Sequence, residues 1–371
     1  MTTPYAELHC HSNFSFLDGA SPVEDLVAQA TEVGLSGLAI TDHGGLYGVV
    51  RFATEAEAAG IRPILGVEIE LLDPAMPDPA GVVIPARRRR RSGRAGARIA
   101  GQGWGAGSPD LEMPVEGLPA RPRPSRTRLP GHRAVVKEDL RGIGERQSGP
   151  HLVLLARDAS GYRSLCRLIS HANLAGTKRV PRFDQALLAR HTEGLIALSG
   201  CGEGEIARRL RVGDREGAAG VARTYASLFG SGDGVAAAGF YLELSHHLQP
   251  DDDWLVAETA RLAAELGLPV VVTNDAHYAR PEDRELQDVL TGIFHGRTLE
   301  TLGDLRRPDG ESYLKSGSDL AALVAPADGT VATAWAAGMS TAVELAASCS
   351  VDLGFEQYRF PGFPVPDGET P

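Results

Sequence analysis

Gly37-Leu38-Ala39-Ile40-Thr41-Asp42-His43 is a short apolar run that ends on an acid and a histidine, and a helically spaced segment follows it after Val49. The same grammar opens the chain, where Tyr5-Ala6-Glu7-Leu8-His9 runs into Cys10-His11 before a second helical pattern. Seven β-rich runs of this kind occur along the chain: Tyr5 to His9, Gly37 to Thr41, Pro63 to Ile69, Leu152 to Ala156, Leu195 to Ser199, Phe240 to Leu244 and Leu268 to Thr273. Strands alternating with helical stripes predict an α/β protein with a parallel sheet, open or closed into a barrel.

The first helix carries clear punctuation. Ser21-Pro22-Val23-Glu24 predicts a serine N-cap, a proline at the first helical position and a glutamate three residues after the cap. Val23, Leu26, Val27, Ala30 and Val33 keep helical spacing, and Gly34 suits the left-handed position beyond the last turn. Similar stripes after Val49, after Ser160, after Glu203 and between Trp254 and Gly267 predict helices packed outside the sheet.

Composition narrows the class. With 371 residues and 43% apolar content, the chain can bury a sizeable core. A formal net charge of -11 excludes a surface that grips nucleic acid all over, so any DNA contact is expected to be local. Four scattered cysteines, no basic n-region with an apolar h-region, and no apolar run of about 20 residues predict a cytoplasmic protein without membrane spans. The Asn13-Phe14-Ser15 glycosylation match then carries no meaning.

From Ala86 to Gly149 the pattern dissolves into Arg87-Arg88-Arg89-Arg90-Arg91 and Gly-, Pro- and Arg-rich sequence. Too little apolar surface is on offer there to offset the entropy of ordering, so a flexible, disordered insertion is expected, its arginines solvated. Gly101-Gln102-Gly103-Trp104-Gly105 is not a nucleotide loop, having neither a strand before it nor a helix after it. Beyond Tyr278 the alternation stops. A helical stretch around Trp335 to Ser348 is followed by Tyr358-Arg359-Phe360-Pro361-Gly362-Phe363-Pro364-Val365-Pro366, which reads as an extended connector.

Histidines and acids gather at the strand ends. His9-Cys10-His11 closes the first run, Thr41-Asp42-His43 the second, and Glu68 lies late in the third; Cys201 follows the fifth, and Asn274-Asp275-Ala276-His277 the seventh. In a parallel barrel the loops at the carboxyl ends of the strands build one mouth, so residues distant in sequence converge. Period-two alternation pairs His9 with His11 and Asp275 with His277, and sends Cys10 into packing. Imidazole, carboxylate and one thiolate suit Zn²⁺, Mn²⁺ or Fe rather than Ca²⁺. Each motif alone is weak, but bland packing gives no reason for titratable groups to cluster at four or five strand ends.

Taken together, His9-x-His11, Asp18, Thr41-Asp42-His43, Gly66-x-Glu68, Cys201 and Asp275-x-His277 resemble the ordered motifs of the PHP (polymerase and histidinol phosphatase) superfamily. The resemblance implies a distorted (β/α)7 barrel holding up to three metal ions. Its ligands would be His9, His11, Asp18, His43, Glu68, His151, Cys201, Asp275 and His277. His151 begins its run instead of ending it, and is assigned because His151-Leu152-Val153-Leu154-Leu155-Ala156 with Gly161-Tyr162 resembles the family segment. Asp42 receives no ligand role and is expected to orient His43 or a bound water. His246 and His247, after the sixth strand, are candidates for touching substrate phosphate, whereas His171, His191 and His295 are expected to be surface or satisfied residues.

Other stretches set the flavour of the domain. Phe14 to Ser21, Gly44 to Gly48, Asp283 to Leu290 and Tyr313 to Ser316 resemble the polymerase III alpha-subunit family, while Arg306 to Tyr313 and the closing connector look like its error-prone branch. The resemblance implies a barrel over residues 1–85 and 150–280, an insertion over 86–149, and an extension over 281–371 leading to a polymerase core. Nucleotidyl transfer is not expected of this segment. Pro250-Asp251-Asp252-Asp253 is read as a helix start, where acids favour the positive dipole, and the family's palm motif would lie beyond residue 371. The expected activity is phosphodiester hydrolysis at the 3′ end of DNA, a 3′-5′ exonuclease. A non-catalytic metal module bracing the polymerase and a histidinol-phosphatase-like phosphoesterase are the alternatives. DNA and the rest of the polymerase chain are the implied partners, with sliding clamp and translesion accessory proteins engaging regions absent here.

Overall fold

The computed structural model describes residues 3–72, 149–177, 180–230, 238–324 and 329–354. The expected insertion from Ala86, its arginine run, the Gly101 to Gly105 stretch and the connector from Tyr358 to Pro366 lie outside the described residues.

Seven strands form one curled sheet in chain order: β1 (Ala6–Glu7), β2 (Gly37–Ile40), β3 (Arg62–Glu70), β4 (His151–Ala156), β5 (Leu195–Leu198), β6 (Phe240–Leu244) and β7 (Val270–Val272). Between them run α1 (Val23–Glu32), α2 (Val49–Ala59), α3 (Ala159–Ala175), α4 (Gln185–Leu188), α5 (Glu205–Arg211), α6 (Arg215–Phe229) and α7 (Asp252–Leu266); α8 (Arg284–His295), α9 (Gly317–Leu323) and α10 (Gly329–Ser348) follow. Among the described residues, the barrel closes through a single bridge, Cys10 to Ala276, where His11 N donates to Ala276 O at 2.7 Å and Ala276 N to His9 O at 2.9 Å. This is the distorted barrel that the sequence leads one to expect.

One expectation needs correction. The strands are not all parallel, because β4 runs antiparallel to both β3 and β5. A parallel pair needs a crossover, usually helical. β4 is antiparallel to β5 even though α3 lies between them, so helical spacing in the sequence does not fix the direction of a strand. The reversal bears on the site: His151, first residue of β4, pairs with Glu70 near the end of β3 and lies at the end of the barrel where the other strands finish.

The helix start at α1 also departs from expectation. Its cap is Pro22, with no side-chain cap bond. Ser21 is drawn elsewhere, donating to Asp283 Oδ2 at 3.1 Å and accepting from Ala279 N at 2.8 Å, so it ties the first helix to the segment after β7. Gly34 does take the left-handed conformation, at φ 74°. The acidic run behaves as read: α7 begins at Asp252, and Asp252 and Asp253 occupy its first turn.

Two apolar clusters hold the barrel. One joins β1, β2 and β7 to α1, α2 and α10, with Phe52, Ile64, Tyr241 and Trp335 buried in it; the other packs β3 to β6 against α3 to α7. Residues 329–348 are thus part of the barrel's core. Gly338 of α10 sits so close to β7 that a Cβ would stand 2.9 Å from Val272 Cγ2, and the Trp335 indole donates to Leu320 O at 3.0 Å.

Candidate metal centre

At the mouth of the barrel the nine expected side chains form one connected cluster. His9 and His11 leave β1 on the same side, their Nε2 atoms 3.1 Å apart, and Asp275 Oδ1 lies 3.4 Å from the first and 3.5 Å from the second. Glu68 reaches three histidines: Oε2 is 2.9 Å from His9 Nε2 and 3.0 Å from His151 Nδ1, and Oε1 is 2.8 Å from His43 Nδ1. Asp18 Oδ2 joins His43 Nε2 at 2.7 Å and His277 Nδ1 at 3.3 Å. His277 Nε2 returns to Asp275 Oδ1 at 3.1 Å. His11 is stacked between His43 and His277, with ring centroids 4.4 and 4.5 Å away.

Among the described residues, three groups have the geometry to hold a metal ion: His9, His11 and Asp275; His11, His43 and Glu68; Glu68, His151 and Cys201. Within each, the ligand atoms lie within 4.8 Å of one another. Glu68, with two oxygens, can serve two groups. His11 serves only one, because its Nδ1 is engaged by Ser15 Oγ at 3.2 Å.

The backbone spends strain to place the acids. Asp275 sits at φ 46° and Leu17, beside Asp18, at φ 62°, conformations that cost roughly 1–3 kcal/mol each outside glycine. Gly19 is required by the same loop, since a Cβ there would stand 2.0 Å from Ser12 O. Cys10 points into the apolar core, as alternation demands.

The electrostatics show a site short of positive charge. Burial pushes the His43 imidazole down, but Glu68 and Asp18 outweigh it and lift the ring to about 10. Burial likewise opposes His9, yet Asp275 and Glu243 raise it well above the ordinary histidine value, and Glu68 raises His151. His11 is pushed down to about 3 by burial and by its neighbours His43 and His277. Burial, then Asp275, Glu68 and Glu243, hold the Cys201 thiol well above its usual range, so a thiolate there needs an added cation. A bound cation would satisfy the same carboxylates. Moreover, His43 Nδ1, Glu68 Oε1 and His151 Nδ1 are buried with no partner in hydrogen-bonding orientation, despite the short separations above. Donor atoms that crowd together without pointing at one another suit a shared ion, and the mixed nitrogen, oxygen and sulfur set fits one.

Three expected residues make other contacts in this structure. Asp42 makes no hydrogen bond to the His43 ring. It accepts from Ser12 N at 2.8 Å, Ser12 Oγ at 2.7 Å and Ser15 Oγ at 2.6 Å, and so reaches His11 through Ser15. His246 is turned away from the mouth, its Nε2 3.0 Å from Asp253 Oδ1 and its ring edge-on to Trp335. His247 donates to Asn274 O at 2.7 Å, which buttresses the strained Asp275 turn and leaves no phosphate contact at that nitrogen. The helix start at Asp252 causes both, its carboxylate gathering His247 N and Gln249 N into a tight turn. His171 and His191 bond to each other at the surface, 2.9 Å apart.

Two residues at the site have no counterpart in the sequence reading. Glu243, buried on β6, accepts from His9 Nδ1 at 2.7 Å and from Thr273 Oγ1. An acid inside the apolar run Phe240 to Leu244 was the available signal. Arg307 places Nη2 2.7 Å from His277 Nε2; it lies in the Arg306 to Tyr313 stretch, whose resemblance gives it no site role.

The fold and site together define an α/β-barrel protein with a candidate polymetal centre at its mouth. The model of the PHP domain family matches residues 7–247, and the chain belongs to that family. It is 37% identical to the error-prone DNA polymerase of Nocardia farcinica over 99% of its own length, and 31% identical to DNA polymerase III subunit alpha of Thermus aquaticus over 99%. It spans 29% and 24% of those two proteins. Among solved structures, an amidohydrolase from Chromobacterium violaceum matches with a TM-score of 0.34 and 14% identity, covering 74% of this chain and 88% of that one. Among the described residues, no helix is long and apolar enough to cross a membrane.

Proposed function

We propose that this chain is a metal-dependent phosphodiesterase that trims the 3′ end of DNA, the N-terminal domain of an error-prone DNA polymerase. One observation carries the reading: nine histidine, carboxylate and thiol side chains from six of the seven strand ends and one loop meet in a single cluster, with Glu68 shared between two donor groups. The ligands would be His9, His11, Asp18, His43, Glu68, His151, Cys201, Asp275 and His277, holding Zn²⁺, Mn²⁺ or Fe, up to three ions. When bound, such ions polarise phosphoryl oxygens and ease the deprotonation of water near neutral pH.

The chain's own residues do the rest. Glu243 fixes His9 Nδ1 as the protonated nitrogen, which turns Nε2 toward the site. The Asp42, Ser15 and His11 chain fixes the second ring in the same way. His9, His11 and Glu68 are closed off from solvent, while the side chains of His43 and His151 are 17% and 20% exposed, so substrate would arrive over that pair. The full-length parent would add DNA synthesis in damage repair, with DNA, the remaining polymerase chain, a sliding clamp and translesion accessory proteins as partners.

Incubation of the purified chain with Mn²⁺ or Zn²⁺ and a 3′-labelled primer should give shortened products, and His9→Ala or Asp275→Asn should abolish them. Activity that survives either substitution rejects the assignment. The deep burial of His9, His11 and Glu68 favours a second reading, a structural metal module. That reading wins if chelation lowers Tm while no nuclease activity accompanies any metal.

A further inference from the structure

Arg307 enters the metal centre from outside the barrel. It follows α8 and a short 3-10 turn (Gly303–Leu305), and its backbone is pinned on both sides. Arg284 Nη2 donates to Arg307 O at 3.0 Å, Arg306 Nε pairs with Asp288 Oδ2 at 3.1 Å, and Asp309 accepts from Gln249 and, at 2.8 Å, from Glu311 N. A side chain presented by so braced a segment has a defined reach.

What it reaches is the ligand set. Nη2 lies 2.7 Å from His277 Nε2, 3.2 Å from His277 Nδ1 and 3.7 Å from the Asp18 carboxylate, while the side chain keeps 31% of its surface exposed. Lys315, another cation near this end among the described residues, is committed to Asn274 Oδ1 at 3.3 Å and to Glu311. Arg307 therefore stands on the rim, between buried donors and solvent. With Asp18 and His277 turned to a bound metal ion, the guanidinium would lose both as acceptors and would face a positive centre. The partner that relieves this is an anion with paired oxygens, because the planar fork of guanidinium donors matches a phosphate in two-point contact.

We infer that Arg307 is the phosphate-recognising residue of this site, binding a non-bridging oxygen pair of the scissile or terminal phosphate; the substrate class rests on the phosphodiesterase reading above. The test uses the whole 371-residue chain, loaded with Mn²⁺. Inorganic phosphate binding is measured by calorimetry, metal content by mass spectrometry, and turnover with bis(p-nitrophenyl) phosphate. Arg307→Ala should weaken phosphate binding by about tenfold or more, the value of one charge-assisted contact, with metal content unchanged and the loss of turnover falling mainly on KM. Arg307→Lys should recover part of the binding, since the charge returns without the fork. Equal phosphate affinity in wild type and Arg307→Ala overturns the inference. So does a fall in metal content, which would make Arg307 part of the scaffold of Asp18 and His277. If phosphate binding weakens as expected but no variant turns over, Arg307 keeps its role and the phosphodiesterase reading falls.

Discussion

Glu243→Gln isolates one carboxylate charge behind the metal centre. Glu243 and His9 are both fully buried, and the 2.7 Å contact between Oε1 and Nδ1 lets the carboxylate fix the tautomer of His9 and raise the basicity of its other nitrogen. Glutamine keeps the shape and the acceptor but removes the charge. A hydrogen bond to a charged group contributes about 1.5–3 kcal/mol. Loss of such a partner behind a ligating histidine typically costs about 10–100-fold in metal affinity. At about 1.4 kcal/mol per decade the two estimates agree. The weakest-held ion of Zn²⁺- or Mn²⁺-loaded protein should therefore shift by one to two decades in a chelator competition titration, with the far-UV circular dichroism unchanged. Glu243→Ala should also destabilise the fold, by a further 1–3 kcal/mol or so, because His9 Nδ1 and Thr273 Oγ1 both lose their acceptor. Wild-type metal affinity in Glu243→Gln would show that His9 is not a ligand through Nε2, and would refute the reasoning.

Three further outcomes are expected. Gly19→Ala places a Cβ against the Ser12 carbonyl and should cost about 1–3 kcal/mol or more in denaturant unfolding, with weaker metal binding because Asp18 shares the loop. Trp335→Ala should cost about 3–5 kcal/mol and lower Tm of the whole barrel in one transition, since the indole is 1% exposed and belongs to the cluster of β1, β2 and β7. In chelator, His43 holds its proton to about 10 against an ordinary value of 6.5, so its stabilising contribution is fully present below 6.5 and is lost as pH rises through 10. Tm in EDTA should thus fall between pH 7 and pH 10, and saturating Mn²⁺ should remove that slope, because a ligating imidazole has no proton to lose there.

Legibility in the sequence followed locality. The strands, and the pairing of His9 with His11 and Asp275 with His277, depend on period-two alternation along a few residues, which sequence displays directly. Gly34 shows its left-handed role for the same reason. What escaped depends on contacts between distant segments. Ser21 has every local mark of a helix cap, yet Asp283 and Ala279 compete for its hydroxyl. The direction of β4 is set by its neighbours, not by its own residues, and its reversal is what puts His151, at the start of its strand, among residues at the ends of theirs. Asp42 stands next to His43 in sequence, whereas the fold bonds it to Ser12 and Ser15 from the preceding loop. Arg307 lies far along the chain from every residue it touches, and no spacing rule reaches that distance.

The closing seam of the barrel and the metal centre are the same place. β1 and β7 share no regular ladder; they meet at the bridge between Cys10 and Ala276, and those two residues are flanked by His9 and His11 on one side and Asp275 and His277 on the other. A sheet closed by one bridge has given up most of the hydrogen bonds that normally hold neighbouring strands, and α10 covers the gap only from outside, through Trp335 and Gly338. Ions held jointly by the two flanking pairs would supply across this seam the cohesion that the missing ladder does not, because binding free energy at a site formed only on folding is also folding free energy. The strained φ of Asp275 follows from the same arrangement. The left-handed turn at Asp275 stands beside the seam, with its carboxylate 3.4 Å from His9 Nε2 and 3.5 Å from His11 Nε2.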